Sequence, residues 1–230
     1  MVQVVAIDGP VAVGKSSVAR MAAAELGLRH INTGAMYRAV ALKLMRVGGG
    51  RTDLAQSAIA DAARTTRVEL PTDGSVLLDG EDVTNAIRDE RVSAFVAVVA
   101  DNLDVRHTLV AMQRSLGLEQ PAVLEGRDIG TVVFPDAALK IYLDASPEVR
   151  AERRLSELRR KGLVANREDV FLGLLERDER DRARPWGGLR MAEDATLIDT
   201  TNFDELMVVR LIAALVREHP AFHDVLVASP

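Results

Sequence analysis

The chain has 230 residues with 48% apolar and 27% charged side chains, a globular balance with no apolar run long enough to span a bilayer. Its net charge of −5 argues against a broad nucleic-acid-binding surface, and the absence of cysteine excludes disulfides, thiolate metal sites and a cysteine nucleophile. The apolar stretch before Asp8 is too short for a secretory signal, so a cytoplasmic, membrane-free protein is expected.

Val2 to Ile7 reads as the first strand. It runs into Gly9-Pro10-Val11-Ala12-Val13-Gly14-Lys15-Ser16, and a helix is predicted over Lys15 to Leu26 with Gly27 as its C-cap. Gly-x4-Gly-Lys-Ser between a strand and a helix is the pattern of a phosphate-binding loop. Glycines let backbone N–H groups of Gly9 to Ser17 converge on an anionic oxygen, and the helix adds its own unpaired N–H groups and positive dipole end. Lys15 reaches the β and γ phosphates of a nucleoside triphosphate, and the Ser16 hydroxyl is the expected Mg²⁺ ligand. Asp8 and Asp144 are carboxylates near strand ends, but water-mediated ligation is an equal expectation because Mg²⁺ keeps several waters.

A second strand is predicted over Leu28 to Ile31. Asn32-Thr33-Gly34-Ala35-Met36-Tyr37-Arg38 follows as a small-residue turn opening a helix predicted over Met36 to Val47, with Gly48 at its C-cap. A helix start with an arginine fork is suited to holding a second anion. From Gly48 to about Ala100 the alternation of strand and helix breaks. Arg67 to Leu70, a Thr72-Asp73-Gly74 turn and Val76 to Leu78 read as a hairpin, with a short helix near Val83 to Ile87.

Beyond it, helices are predicted over Val105 to Leu116, Pro147 to Lys161, Val170 to Arg182 and Asp204 to Glu218, and strands over Ala122 to Leu124, Leu139 to Leu143 and Ala195 to Ile198. Five short strands alternating with helices predict an α/β fold around a parallel sheet. Glu125-Gly126-Arg127-Asp128-Ile129-Gly130 places Arg127 and Asp128 at the carboxyl end of a strand, where open α/β sheets bind ligands. Between Arg150 and Arg184 there are eleven Arg or Lys and eight Asp or Glu, a mixture that predicts a solvated face over about two thirds of its length.

These motifs together closely resemble the bacterial cytidylate kinases: Ile7 through Ser16, Thr33 to Arg38, Glu125 to Asp136 with its Gly-Arg-Asp-Ile-Gly-Thr core, and Arg177-Asp178-Glu179-Arg180-Asp181-Arg182. The resemblance runs in order through nearly the whole chain. It implies a P-loop NTPase-type three-layer α/β/α core from residues 1–48 and 101–230. An inserted nucleoside-monophosphate-binding subdomain at about 49–100 and a helical lid with its flanking helices at about 150–184 complete the implied layout. It further implies transfer of the ATP γ-phosphoryl group to CMP or dCMP with Mg²⁺, by a monomer. By similarity, Thr33, Tyr37, Arg38, Arg127 and Arg177 hold the acceptor phosphate, Arg106 and Asp128 address cytosine, and Asp181 addresses the ribose. Arg153 and Arg184 are implied in the lid and its flank, and the catalytic set would be Lys15, Arg127, Arg153 and Arg177.

Residue chemistry agrees with that carry-over. A carboxylate at Asp128 can accept from the cytosine N4 amino group, and Arg106 can donate to O2 and N3, whereas uracil turns O4 lone pairs toward the carboxylate. An anionic phosphate nucleophile needs no general base, and no Ser-His-Asp arrangement is evident. The chain departs from the family at Ala97, where a serine nine residues before Arg106 is common. It departs again at Val11 and Val13, where smaller residues are usual, and at Pro185 to Leu189, which contains the only tryptophan, Trp186. A kinase for UMP, dTMP or a non-nucleotide alcohol is the alternative within enzymes. A GTPase-like switch is the alternative outside kinases, and it lacks any Asn-Lys-x-Asp guanine-reading motif.

Overall fold

The structure is a computed structural model that describes residues 2–49, 51 and 53–227. The chain divides into two compact units, residues 1–29 with 120–230 and residues 30–119. The larger sheet has five strands ordered β2-β6-β1-β7-β8, from β1 (Val2–Asp8), β2 (Arg29–Asn32), β6 (Ala122–Glu125), β7 (Ala137–Asp144) and β8 (Thr196–Asp199). β1 is central and pairs in parallel with β6 and β7, and β7 pairs in parallel with β8.

In the first unit, β1 is an unbroken apolar run because both its faces are covered. Val4, Val5, Ala6 and Ile7 are all fully buried. Val5 and Ile7, with Val123, Ile141 and Leu143, pack against α1 (Lys15–Leu26) and α8 (Glu205–Glu218). The matching stripe on α8 is Val208, Val209, Ile212, Ala213 and Val216, at the i, i+3/i+4 spacing of a helix with one buried face. Each valine or isoleucine of this stripe contributes about 1.5–3 kcal/mol on full burial, so this face anchors the loop between β1 and α1. Gly27 closes α1 in the left-handed conformation, φ 67°, as expected.

At the end of β7, Ser146 caps α6 (Pro147–Arg160) by accepting from the Val149 N–H, with Pro147 in the first turn. Asn166 caps α7 (Arg167–Ala183) in the same way, accepting from Glu168 N–H, and the acidic pair Glu168-Asp169 complements the helix dipole. Past α7, Gly188 allows residues 185–189 to fold back. A Cβ there would lie 2.7 Å from the Arg184 carbonyl oxygen, and the Leu189 N–H donates to the Asp181 carbonyl at 2.8 Å.

The second unit carries α2 (Thr33–Val47), α3 (Gln56–Arg64), a small antiparallel sheet, α4 (Glu90–Ala100) and α5 (Leu103–Leu118). The expected hairpin is present as β3 (Val68–Glu69) and β4 (Leu77–Leu78), and β4 also pairs with β5 (Glu81–Asp82) across a turn with Asp79 at φ 51° and Gly80 at φ 88°. Several details differ from the sequence reading. Helix α2 begins at Thr33 rather than Met36, because Asn32 accepts from the Ala35 N–H and so caps the turn that small residues had marked as a loop. Gly48 ends α2 at φ −88°, without the left-handed C-cap expected of it; its requirement is space, since a Cβ would meet the Leu44 carbonyl oxygen at 2.9 Å. The helix near Val83 to Ile87 is a single 3₁₀ turn at Ala86–Arg88. Helices α3 and α4 lie in the stretch where no regular alternation was legible.

Candidate active site

The loop from Gly9 to Ser16 has the backbone its glycines demand. Gly9 sits at φ 150°, and a Cβ there would lie 2.1 Å from the Leu143 carbonyl oxygen, inside any allowed contact. Gly14 sits at φ 97°. Between them Ala12 is held at φ 60°, an uncommon conformation for a residue with a Cβ and costly by about 1–3 kcal/mol. The Val13 side chain belongs to the apolar core, which is how the loop accommodates its bulk.

Lys15 opens α1 and is buried, with Nζ donating to the Pro10 carbonyl at 2.6 Å. Burial, and after it the neighbouring Arg127 guanidinium, push its ammonium well below the usual lysine range, against the pull of Glu125, Asp8 and Asp181. A cation so destabilised, at the positive end of a helix, is poised to gain from an arriving phosphate. The Ser16 hydroxyl donates to Glu125 Oε2 at 2.8 Å, which brings two hard oxygens from α1 and β6 together. No cluster of three or more His, Cys, Asp or Glu that could hold a metal occurs among the described residues.

The second feature of this unit is the turn after β6. Asp128 precedes a π-helical turn at Ile129–Val133, in which Phe134 N–H donates to the Ile129 carbonyl at 2.7 Å. Asp8, the last residue of β1, holds that turn from below: its two carboxylate oxygens accept from the Ile129 and Gly130 N–H groups, each at 2.8 Å. Burial pushes the Asp8 carboxyl up to about 7 in spite of those two hydrogen bonds, with Asp128 adding to the rise. Both Asp8 oxygens accept from the backbone of the turn, so Asp8 supports the segment that follows Arg127 and Asp128. A Cβ on Gly130 would lie 3.2 Å from the Lys140 side chain, a tight contact, and 3.5 Å from Asp8, an ordinary one.

Helix α7 supplies the third wall. Its buried stripe of Leu174, Asp178 and Asp181 turns inward from the mixed-charge run. Asp181 joins Arg127 (Nε to Oδ2 2.9 Å) to Arg184 (Nη1 to Oδ1 2.6 Å). Burial alone would raise the Asp181 carboxyl, but Arg127 and Arg184 outweigh it and hold it below the usual carboxylate range. Arg153, on α6, donates to the Thr200 hydroxyl and carbonyl at 2.9 and 2.6 Å and to the Val13 carbonyl at 3.3 Å, so it grips the loop's own backbone.

Arg177 lies on α7 in the first unit, and the second unit carries Thr33, Tyr37, Arg38 and Arg106. Thr33 is buried at the start of α2, and the Arg38 guanidinium folds back so far that a Cβ on Gly34 would lie 3.5 Å from it. A guanidinium over a helix N-terminus meets the positive end of the dipole, an arrangement that favours a bound anion. Arg106, one turn into α5, is buried with its guanidinium carbon 5.7 Å from the Tyr37 ring centroid and Nη1 donating to the Ala100 carbonyl at 3.3 Å. Ala97 is half-buried on α4.

A phosphate loop, a strand-end Arg-Asp turn and an arginine-covered helix start match one family from end to end: the model of the family described as Cytidylate kinase matches residues 5–218. The chain belongs to the cytidylate kinase family. Among curated proteins, the cytidylate kinase of Pelotomaculum thermopropionicum is 48% identical over 216 residues, covering 92% of this chain and 95% of that protein. Those of Citrifermentans bemidjiense and Thermotoga sp. (strain RQ2) are 41% and 43% identical over 224 and 214 residues, covering 96% and 93% of this chain and 95% and 96% of theirs.

For a member of the cytidylate kinase family, the residues that sequence reasoning passed over are Asp8 as a support, Arg150 and Asp178. The last two were absorbed into the run expected to be mostly solvated. The one available signal was the i, i+4 recurrence of Leu174 and Asp178 on α7, which places a carboxylate on an apolar stripe.

Proposed function

We propose that the chain transfers the terminal phosphoryl group of ATP to CMP or dCMP. The observation that carries this reading is the pairing of a complete phosphate loop and buried Lys15 with a turn presenting Arg127 and Asp128 at the adjacent strand end. Lys15 neutralises charge on the β and γ phosphates. Arg127 and Arg177 draw charge from the transferring group, and Thr33, Tyr37 and Arg38 hold the acceptor phosphate. Arg106 and Asp128 read the cytosine edge and Asp181 the ribose, while Arg153 and Arg184 act from α6 and the end of α7 as parts of a lid and its flank within residues 150–184.

The Ser16 hydroxyl and Glu125 carboxylate fit Mg²⁺, being hard oxygens brought together beside the loop. When bound, the ion would neutralise phosphate charge there. No general base is needed, because the attacking phosphate oxygen is already anionic, and catalysis rests on positioning and charge. Residues 49–100 serve as the enlarged acceptor-binding region. ADP release measured with and without CMP tests the reading against a nucleotide-switch alternative. One CDP per ADP, with little ADP formed when CMP is omitted, supports transfer; ADP formation indifferent to CMP would overturn it.

A further inference from the structure

The phosphate loop is held by a second device that no glycine or lysine of the motif explains. Arg150 and Asp178 form a buried ion pair between α6 and α7, with side chains 3% and 0% exposed. Asp178 Oδ1 accepts from the Val11 N–H at 3.2 Å, while Arg150 Nη1 donates to the Val11 carbonyl at 3.2 Å and Nε to the Ala145 carbonyl at 3.1 Å. Both polar groups of one loop residue are therefore taken by one ion pair. One turn further along α6, Arg153 holds the Val13 carbonyl. The residue bracketed by these two carbonyls is Ala12, the one non-glycine of the loop with positive φ. A backbone conformation of this kind persists only where its surroundings over-determine it.

We propose that Arg150 and Asp178 are positioning residues that fix the Val11 to Val13 backbone in its phosphate-receiving shape, and that ATP affinity depends on them without their touching ATP. The proposal rests on the reading of the loop as an ATP cradle. Burying two charges in full is a poor way to gain stability, since apolar residues of similar volume commonly do as well or better. Their value lies in the directed bonds to Val11, which an apolar pair cannot make. The N–H of Val11 points to Asp178, so the phosphate donors are those further along the loop, and the clamp sets where they face.

The test is ATP titration of the full chain, alongside the KM for CMP at saturating ATP and the melting temperature. Single variants Arg150→Met and Asp178→Asn leave one buried partner uncompensated, so the decisive variant is the double Arg150→Met/Asp178→Leu, which removes both charges and fills the space. With a melting temperature within a few degrees of the parent, it should weaken ATP binding about tenfold or more and change the CMP KM less than about twofold. ATP affinity within about twofold of the parent in a folded double variant would overturn the proposal.

Hydrogen exchange at the Val11 amide of the ¹⁵N-labelled parent, read without nucleotide, decides independently of any variant. Protection comparable to α1 amides is expected; exchange at the rate of an open loop would overturn the clamp. Failure of the parent itself to bind ATP would strike down the reading of the loop and this proposal with it, and is distinguished from the other outcomes by needing no variant.

Discussion

Arg127 and Asp181 lie 54 residues apart in sequence and meet at 2.9 Å, joining the turn after β6 to the buried face of α7. Asp181 also holds Arg184, so one carboxylate orients two guanidiniums. Asp181→Asn keeps the shape but removes the charge that balances them. The CMP KM should rise about tenfold, worth about 1.4 kcal/mol, with ATP affinity changed less than about threefold. Steady-state kinetics with each substrate varied in turn checks this, and an equal loss for both would place the effect in the fold.

Lys15 is a buried cation kept near Arg127, an arrangement that costs stability in the empty protein. Lys15→Met should therefore leave the melting temperature equal or raise it, while kcat falls by about 10² to 10³. Thermal denaturation and turnover measured on one preparation separate the two effects. A variant that loses stability in step with activity would contradict the assignment.

Asp8 makes stability depend on pH in a direction opposite to most carboxylates. Its folded value of about 7 lies above the 3.8 of an unperturbed aspartate, so the folded state holds the proton more tightly. The resulting stabilisation is complete below about pH 4 and is lost as pH rises through 7, by up to about 4 kcal/mol. In urea titrations at several pH values, the stability of the parent minus that of Asp8→Asn should fall between pH 4 and 7. A constant difference would show that the carboxyl titrates normally.

What the sequence made legible was local. Gly9, Gly14, Lys15 and Ser16 lie within one turn of chain, and each is required by backbone shape or charge at its own position. The five strands of the large sheet and six of the helices outside residues 49–100 followed from apolar period and turn residues, with ends misplaced by one to three residues where a cap such as Asn32 intervened; the short helix at His223–Val227 was not read. Helix α4 escaped notice because Val92, Phe95, Val96, Val98 and Val99 are apolar nearly all round and rich in β-branched residues, which blurs a helical period into a strand-like run.

The supports of the site were illegible for a different reason. Asp8 bonds backbone groups 121 and 122 residues away, and Asp178 bonds one 167 residues away. Backbone N–H groups carry no residue signature, so a carboxylate's partner of this kind cannot be read from side-chain spacing. Arg150 and Asp178 were hidden among nineteen charged residues between Arg150 and Arg184, most of which do face water.

Asp128 is buried at the entrance to the π turn, directly after Arg127. As the proposed acceptor for the cytosine amino group, it should favour CMP over UMP by leaving uracil O4 facing a carboxylate. Asp128→Asn presents an amide that can rotate to donate, so the CMP-to-UMP ratio of kcat/KM should narrow by about tenfold or more. An unchanged ratio would refute the contact.

The central claim, that this site passes a phosphoryl group from ATP to a cytidine monophosphate, is tested most directly by the parent chain with CMP, dCMP, UMP, AMP and dTMP side by side. CMP and dCMP should exceed every other acceptor in kcat/KM by at least about tenfold. A preference for UMP, or for any other acceptor over both cytidine nucleotides, would contradict it.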